Sequence, residues 1–153
     1  MADRPSRSDF EEFVLDVEPK LRLALSAVFG PDAGRDATAS ALAYAWENWD
    51  ALDAMENPAG YLYRVGRSSQ RRRKEPTWLA VPAHRSPEIE PGLPAALARL
   101  SEKQRLAVVL VHAYEWTRRE VAEYTGLSVS TIDNHLARGL RKLRAGLGVK
   151  ASA

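Results

Sequence analysis

The chain has 153 residues, 45% apolar and 27% charged, which suits one ordinary soluble domain or two small ones. It contains no cysteine, which excludes a disulfide framework and thiolate–zinc sites. No apolar run approaches the roughly 20 residues that span a bilayer. The opening MADRPSRSDFEEF lacks the apolar core of a secretory signal, so a cytoplasmic location is expected.

The net charge of +2 is unevenly laid out. Residues 1–60 carry 5 basic and 12 acidic side chains, residues 61–75 carry 6 and 1, and residues 101–153 carry 9 and 5. An acidic front followed by two separate basic blocks points to a polyanion partner for the rear of the chain, or more blandly to two solvated helix faces.

In chain order, Ser8 and Glu11 have capping-box spacing and predict a helix from Asp9, with Phe10, Phe13, Val14 and Val17 at helical intervals. Pro19 removes a backbone donor, so a break or kink is expected there. A second run carrying Leu21, Leu25, Val28 and Phe29 ends at Gly30-Pro31-Asp32. An alanine-rich helix is predicted over about 35–49, with Leu42, Ala45, Trp46 and Trp49 along one face. Asn57-Pro58 is an N-cap followed by proline at the first helical position, opening a helix that runs into Arg71-Arg72-Arg73-Lys74. Five of the nine prolines fall within 76–94, predicting an extended linker over 76–92 between units at 9–75 and 93–147.

The rear unit reads as helical throughout. Leu93, Leu97 and Leu100 make a short amphipathic turn or two. Ser101/Gln104 and Thr117/Glu120 are capping boxes, Gly126 suits the left-handed position after a helix, and Ser128 suits the next N-cap. The last helix should run to about Gly146, so the expected fold class is all-α, in two small helical domains.

Ala122, Gly126 and Ile132 have the spacing of a helix-turn-helix: a small residue for close approach, a glycine for the turn, a branched apolar residue that locks the second helix. Tight helical hairpins with other roles share parts of this pattern. Val129, Ile132, Leu136, Leu140, Leu143 and Leu147 fall in one arc of the second helix. The opposite side presents Ser130, Thr131, Asn134, Arg138 and Arg141, with Lys142 beside them, groups suited to base edges and phosphates or simply to solvent. Arg118 and Arg119 would sit over a phosphate backbone, and Asp133 is discordant beside them. In the front unit, Tyr61, Tyr63, Arg64, Arg67, Arg71 and Arg72 mix aromatics with cations, a combination that suits single-stranded nucleic acid. Tyr61 and Trp46 could instead be core, and Trp49 could be either. His84, His112 and His135 are scattered, with no metal-ligand spacing, and no nucleophile elbow or phosphate loop is visible. Neither an enzyme nor a metal or cofactor is expected.

Two stretches resemble bacterial sigma factors of the extracytoplasmic-function type. Leu-Ser-Glu-Lys-Gln-Arg at 100–105, Trp116-Thr-Arg-Arg-Glu-Val-Ala-Glu, Gly126-Leu-Ser-Val-Ser-Thr-Ile and His135-Leu-Ala-Arg-Gly-Leu resemble region four. Ala45-Trp46, Tyr61-Leu-Tyr-Arg-Val-Gly-Arg and the basic run after it resemble region two. The resemblance implies a transcription initiation factor whose partners are core RNA polymerase, promoter DNA and commonly an anti-sigma factor. It adds Ser128 and His135 to the DNA-binding set, His135 and Asp133 standing where the family is usually basic. It adds Asn57, from a base-cupping loop at 50–57, and Ser68, in place of a usual asparagine, to the minus-ten set. It assigns Asp36, Ala39, Ser40 and Trp46 to polymerase binding, Ala39 and Ser40 replacing a usual glutamine and glutamate. A monomer is expected when the chain is free. The residues themselves also leave open a stand-alone helix-turn-helix regulator and a protein-interaction module.

Overall fold

The computed structural model describes residues 6–73 and 91–148; Lys74 and the expected linker, apart from Pro91 and Gly92, lie outside the described residues. The protein is all-α, and the described residues contain no strand. The front half comprises α1 (Arg7–Phe29), α2 (Pro31–Glu47), α3 (Trp49–Asp53) and α4 (Pro58–Arg72). The back half comprises α5 (Leu93–Ala98), α6 (Glu102–Val108), a π-helical turn (Val109–Ala113), α7 (Arg118–Thr125) and α8 (Val129–Gly146).

Helix α1 starts two residues earlier than predicted. Ser6 is the N-cap: its hydroxyl accepts from the Asp9 amide at 3.2 Å, and the Asp9 carboxylate accepts from the Ser6 amide at 2.7 Å. Those hydrogen bonds hold the Asp9 carboxyl below its usual pKa. Pro19 does not break the helix, which is continuous through it. The carbonyl that loses a partner to proline is that of Leu15, whose residue is 78% exposed, so water can serve it. Val17, Leu21, Ala24, Leu25 and Val28 form the buried stripe of α1, packed on Ala37, Ala41 and Ala45 of α2 and on Leu62 of α4. Phe10 and Phe13 meet Trp49 at 5.3 and 4.9 Å between ring centroids, which places Trp49 in the core. Trp46 touches Phe10 at 5.0 Å yet stays 55% exposed.

In the back half, the Ser101 and Thr117 capping boxes and the Ser128 N-cap form as the sequence predicts. The β-branched run after Leu106 widens into the π turn, closed by the Tyr114 amide donating to the Val109 carbonyl at 3.2 Å. Leu106, Val108 and Leu110 join Val121, Ile132 and Leu136 in the core. The apolar core is continuous between the halves, with α1 against α6 and the π turn, and α4 against α7.

Candidate nucleic-acid interface

The helix-turn-helix is built as its spacing requires. Gly126 adopts φ 74° at the end of α7, a left-handed conformation that a side chain disfavours. Ala122 and Ile132 are buried where α7 meets α8. Val129, expected in the buried arc, is 43% exposed because it occupies the first position of α8, ahead of the stretch that α7 covers. Ser130, Asn134, Arg138, Arg141 and Lys142 are exposed on α8, whereas Thr131 and His135 are half-buried. Ser128 faces solvent, but its hydroxyl caps the helix through the Thr131 amide at 3.2 Å. Burial, with Lys103 and Arg138 nearby, lowers the His135 pKa, so the imidazole is neutral near pH 7. Arg119 is exposed, while Arg118 is held by Asp133, Nε to Oδ1 2.5 Å. The discordant acid thus neutralises one of the two arginines expected to lie over phosphates.

On the front half, α4 presents two different faces. Tyr61, Arg64, Ser68 and Arg72 of α4 line a groove of about 460 Å3 toward α2, which contributes Ser40 and Tyr44. The Tyr44 and Tyr61 hydroxyls lie 3.2 Å apart, and that hydrogen bond raises the Tyr44 pKa. Ser40 therefore shares a groove with Arg64 and Arg72, whereas Asp36 and Ala39 are exposed on α2. Tyr63 is a correction to the expected stacking surface: at 4% exposure its ring is core, and burial pushes its phenol pKa up strongly.

The second face of α4 is turned to the back half. Arg67 donates from Nε to the Glu102 carboxylate at 2.5 Å, and Arg71 donates to the other carboxylate oxygen. Burial alone would raise the Glu102 pKa, but these two guanidiniums hold it below the usual range. Asn57 has two partners: its Oδ1 accepts from the Gly60 amide at 3.0 Å, and its Nδ2 donates to the Glu123 carbonyl at 2.8 Å. One side chain thus caps the start of α4 and the end of α7. Gly60 makes this approach possible, since a Cβ there would lie 2.9 Å from the Glu123 carbonyl oxygen. Arg105 of α6 donates to the last carbonyls of α1, Ala27 at 3.2 Å and Val28 at 2.5 Å, and α1 has no basic residue of its own in that turn. Lys20 completes the seam over the Trp116 ring, 5.8 Å from its centroid, and 3.9 Å from Glu120.

Sequence reasoning missed Glu102, Arg105 and Gly60. The available signal was faint: an arginine one position before a buried leucine, in a helix otherwise apolar from Leu106 onward. Among the described residues no group of three or more His, Asp or Glu could hold a metal ion, and no helix is long and apolar enough to cross a membrane.

The arrangement is a helix-turn-helix behind a basic helical unit, and known proteins share it. The family described as Sigma-70, region 4 matches residues 92–143. The sigma factor RpoE from Bartonella quintana, solved in complex with the anti-sigma factor NepR, is 25% identical with a TM-score of 0.66, over 94% of this chain and 99% of that one. CnrH, solved in complex with the cytosolic domain of CnrY, shares the fold at 21% identity and a TM-score of 0.64, over 95% of this chain and 92% of that one. No curated protein sequence matches the chain. Residues 92–143 thus match sigma-70 region 4, and the chain as a whole is similar to the sigma factor RpoE.

Proposed function

We propose that this chain is a sigma factor of the extracytoplasmic-function type that binds core RNA polymerase and directs promoter-specific initiation, residues 93–147 reading the minus-thirty-five element and residues 9–75 opening the minus-ten element. The observation that carries the reading is the exposed polar and cationic face of α8, fixed on α7 by Ala122, Gly126 and Ile132, on a chain that holds a second basic helix in α4. The α8 helix enters the major groove with Arg138 and Arg141 on guanine edges or phosphates, and Ser130, Thr131 and Asn134 beside them. Arg64, Arg67, Ser68, Arg71 and Arg72 hold the backbone of the melted strand, Tyr61 borders it, and the loop at 50–57 takes up an unstacked base. Asp36, Ala39, Ser40 and Trp46 mark the α2 surface offered to polymerase.

Each DNA contact is small, and the two reinforce one another when polymerase fixes their separation. The chemistry of initiation belongs to the polymerase, and this chain needs no cofactor for its part. The complex of RpoE with NepR supports an anti-sigma partner for this chain too. We place the protein in the cytoplasm, monomeric when free. The test is a pull-down of core polymerase followed by promoter-dependent transcription. Stoichiometric binding with specific transcripts is the expected result. Failure to bind polymerase, together with tight binding of a dimer to a palindromic duplex, would refute it in favour of a stand-alone regulator.

A further inference from the structure

Where α6 crosses α8, three basic side chains meet and no acid joins them. Lys103 of α6 and Arg138 of α8 are exposed, and half-buried His135 lies within reach of both charges. We infer that a DNA phosphate seats among Lys103, His135 and Arg138, extending the duplex interface onto α6, and that His135 takes up a proton as it arrives. This rests on reading α8 as the duplex-binding helix, and it adds a proton-linked site to that surface.

The cluster depends on a close helix crossing. Gly139 lies one turn after His135, and a Cβ there would stand 2.8 Å from Val108 Cγ2 and 3.2 Å from the Gln104 carbonyl oxygen. Without that Cβ, α6 lies directly against α8, and the Lys103 charge reaches His135. Two acids are close in sequence, and both are committed elsewhere: Glu102 to Arg67 and Arg71 of α4, Asp133 to Arg118 of α7. Gln104 is neutral and spends its side chain on the Ser101 amide. None of the charged side chains of α7 acts on His135, and α5, which also packs on α8, has none. The charges that act on His135 are therefore all positive. In the free chain burial, and then Lys103 and Arg138, keep the imidazole neutral, because a third cation would face two others with no counter-ion. A phosphate reverses that balance. It offsets both neighbouring charges and favours imidazolium, whose two N–H groups can both donate to anionic oxygens. Histidine here is a conditional cation, where lysine or arginine would be a permanent one.

The test uses the full chain and a short labelled duplex of mixed sequence at low salt. Binding is read by anisotropy from about pH 8 to about pH 5.5, a range that spans ordinary histidine titration and leaves carboxylates ionised. If the phosphate raises the His135 titration by about one pH unit, affinity should rise about tenfold across that range. The log–log salt slope should be steeper by about 0.9 at the acid end, for one added phosphate contact. His135→Gln should lose the acid gain, whereas His112→Gln, at an exposed position on the π turn, should keep it. Lys103→Met separates contact from repulsion. It should flatten the salt slope by about 0.9 and weaken duplex binding. Yet in the free chain its His135 ring, followed by NMR, should titrate at a higher pH than in the wild type, because a repelling cation is gone. If the wild type binds duplex but His135 titrates no higher in the complex than free, the site is overturned and the duplex reading stands. An acid gain that survives His135→Gln, or a salt slope unchanged in folded Lys103→Met, also overturns the site. If the wild type binds no duplex at any pH in the range, the site and the duplex reading of α8 fall together.

Discussion

Replacing Arg105 by methionine keeps the aliphatic stem and removes the guanidinium that joins α6 to the end of α1. The group donates to the Ala27 carbonyl at 3.2 Å, the Val28 carbonyl at 2.5 Å and, within its own half, the Leu100 carbonyl at 3.3 Å. Burial depresses the Arg105 pKa, the mark of a charge taken partly out of water, so its hydrogen bonds offset a real desolvation cost. Hydrogen bonds to a charged group contribute about 1.5–3 kcal/mol net, and relaxation of the halves lets water reach the vacated carbonyls. The expected loss is therefore about 2–3 kcal/mol rather than the sum of three full bonds. For a domain of this length each kcal/mol lowers Tm by roughly 2–4 °C, so a fall of roughly 5–10 °C is expected by differential scanning calorimetry. Arg105→Lys retains a cation that can reach one carbonyl at a time and should recover about half of that. A fall of less than about 2 °C for methionine, or equal falls for both variants, would refute the assignment of Arg105 as the cap of α1.

Asp133→Ala should leave Tm nearly unchanged, since both partners in its pair with Arg118 are about half exposed and such pairs contribute under ~1 kcal/mol. It should instead strengthen duplex binding and steepen the salt slope by about 0.9, one added phosphate contact, as read by anisotropy titration. Gly126→Ala meets no neighbour within 4 Å, so its cost is the strain of φ 74° alone, about 1–2 kcal/mol by denaturant titration. Glu102 has a folded pKa below its unfolded value, so its contribution is complete above the ordinary 4.5 and is lost as pH falls through the lower folded value. The stability gap between the wild type and Glu102→Gln should therefore hold near neutrality and close in that acid window, in paired urea titrations.

Most of the local architecture was legible because caps are local. The Ser101 and Thr117 boxes, the Asn57–Pro58 start, the Gly126 stop and the Ser128 cap each need only residues within three or four positions. The same locality explains the error at α1, where Ser6/Asp9 and Ser8/Glu11 have identical spacing and only the tertiary fold selects the former. Pro19 misled because the cost of proline depends on whether water reaches the orphaned carbonyl, which is a property of burial. The recognition face was readable as a period along α8. The seam was not: Arg105 meets Ala27 and Val28 across 78 and 77 positions, and Asn57 meets Glu123 across 66. No periodicity within either half carries that information. Tyr63 shows the limit from the other side, since composition marks an aromatic beside arginines but not which way its ring points.

The bridging amide of Asn57 also has a chemical lifetime. Asparagine side chains commonly age to aspartate when the backbone nitrogen of the next residue attacks the amide carbon and closes a succinimide. An aspartate at this position would still cap α4 but would set a carboxylate oxygen against the Glu123 carbonyl where an N–H now donates. The next residue here is Pro58, whose ring nitrogen has no proton to give up and cannot follow that route. The proline that starts α4 thus also protects the amide that ties α4 to α7, and the contact should persist unaltered through long storage of the protein.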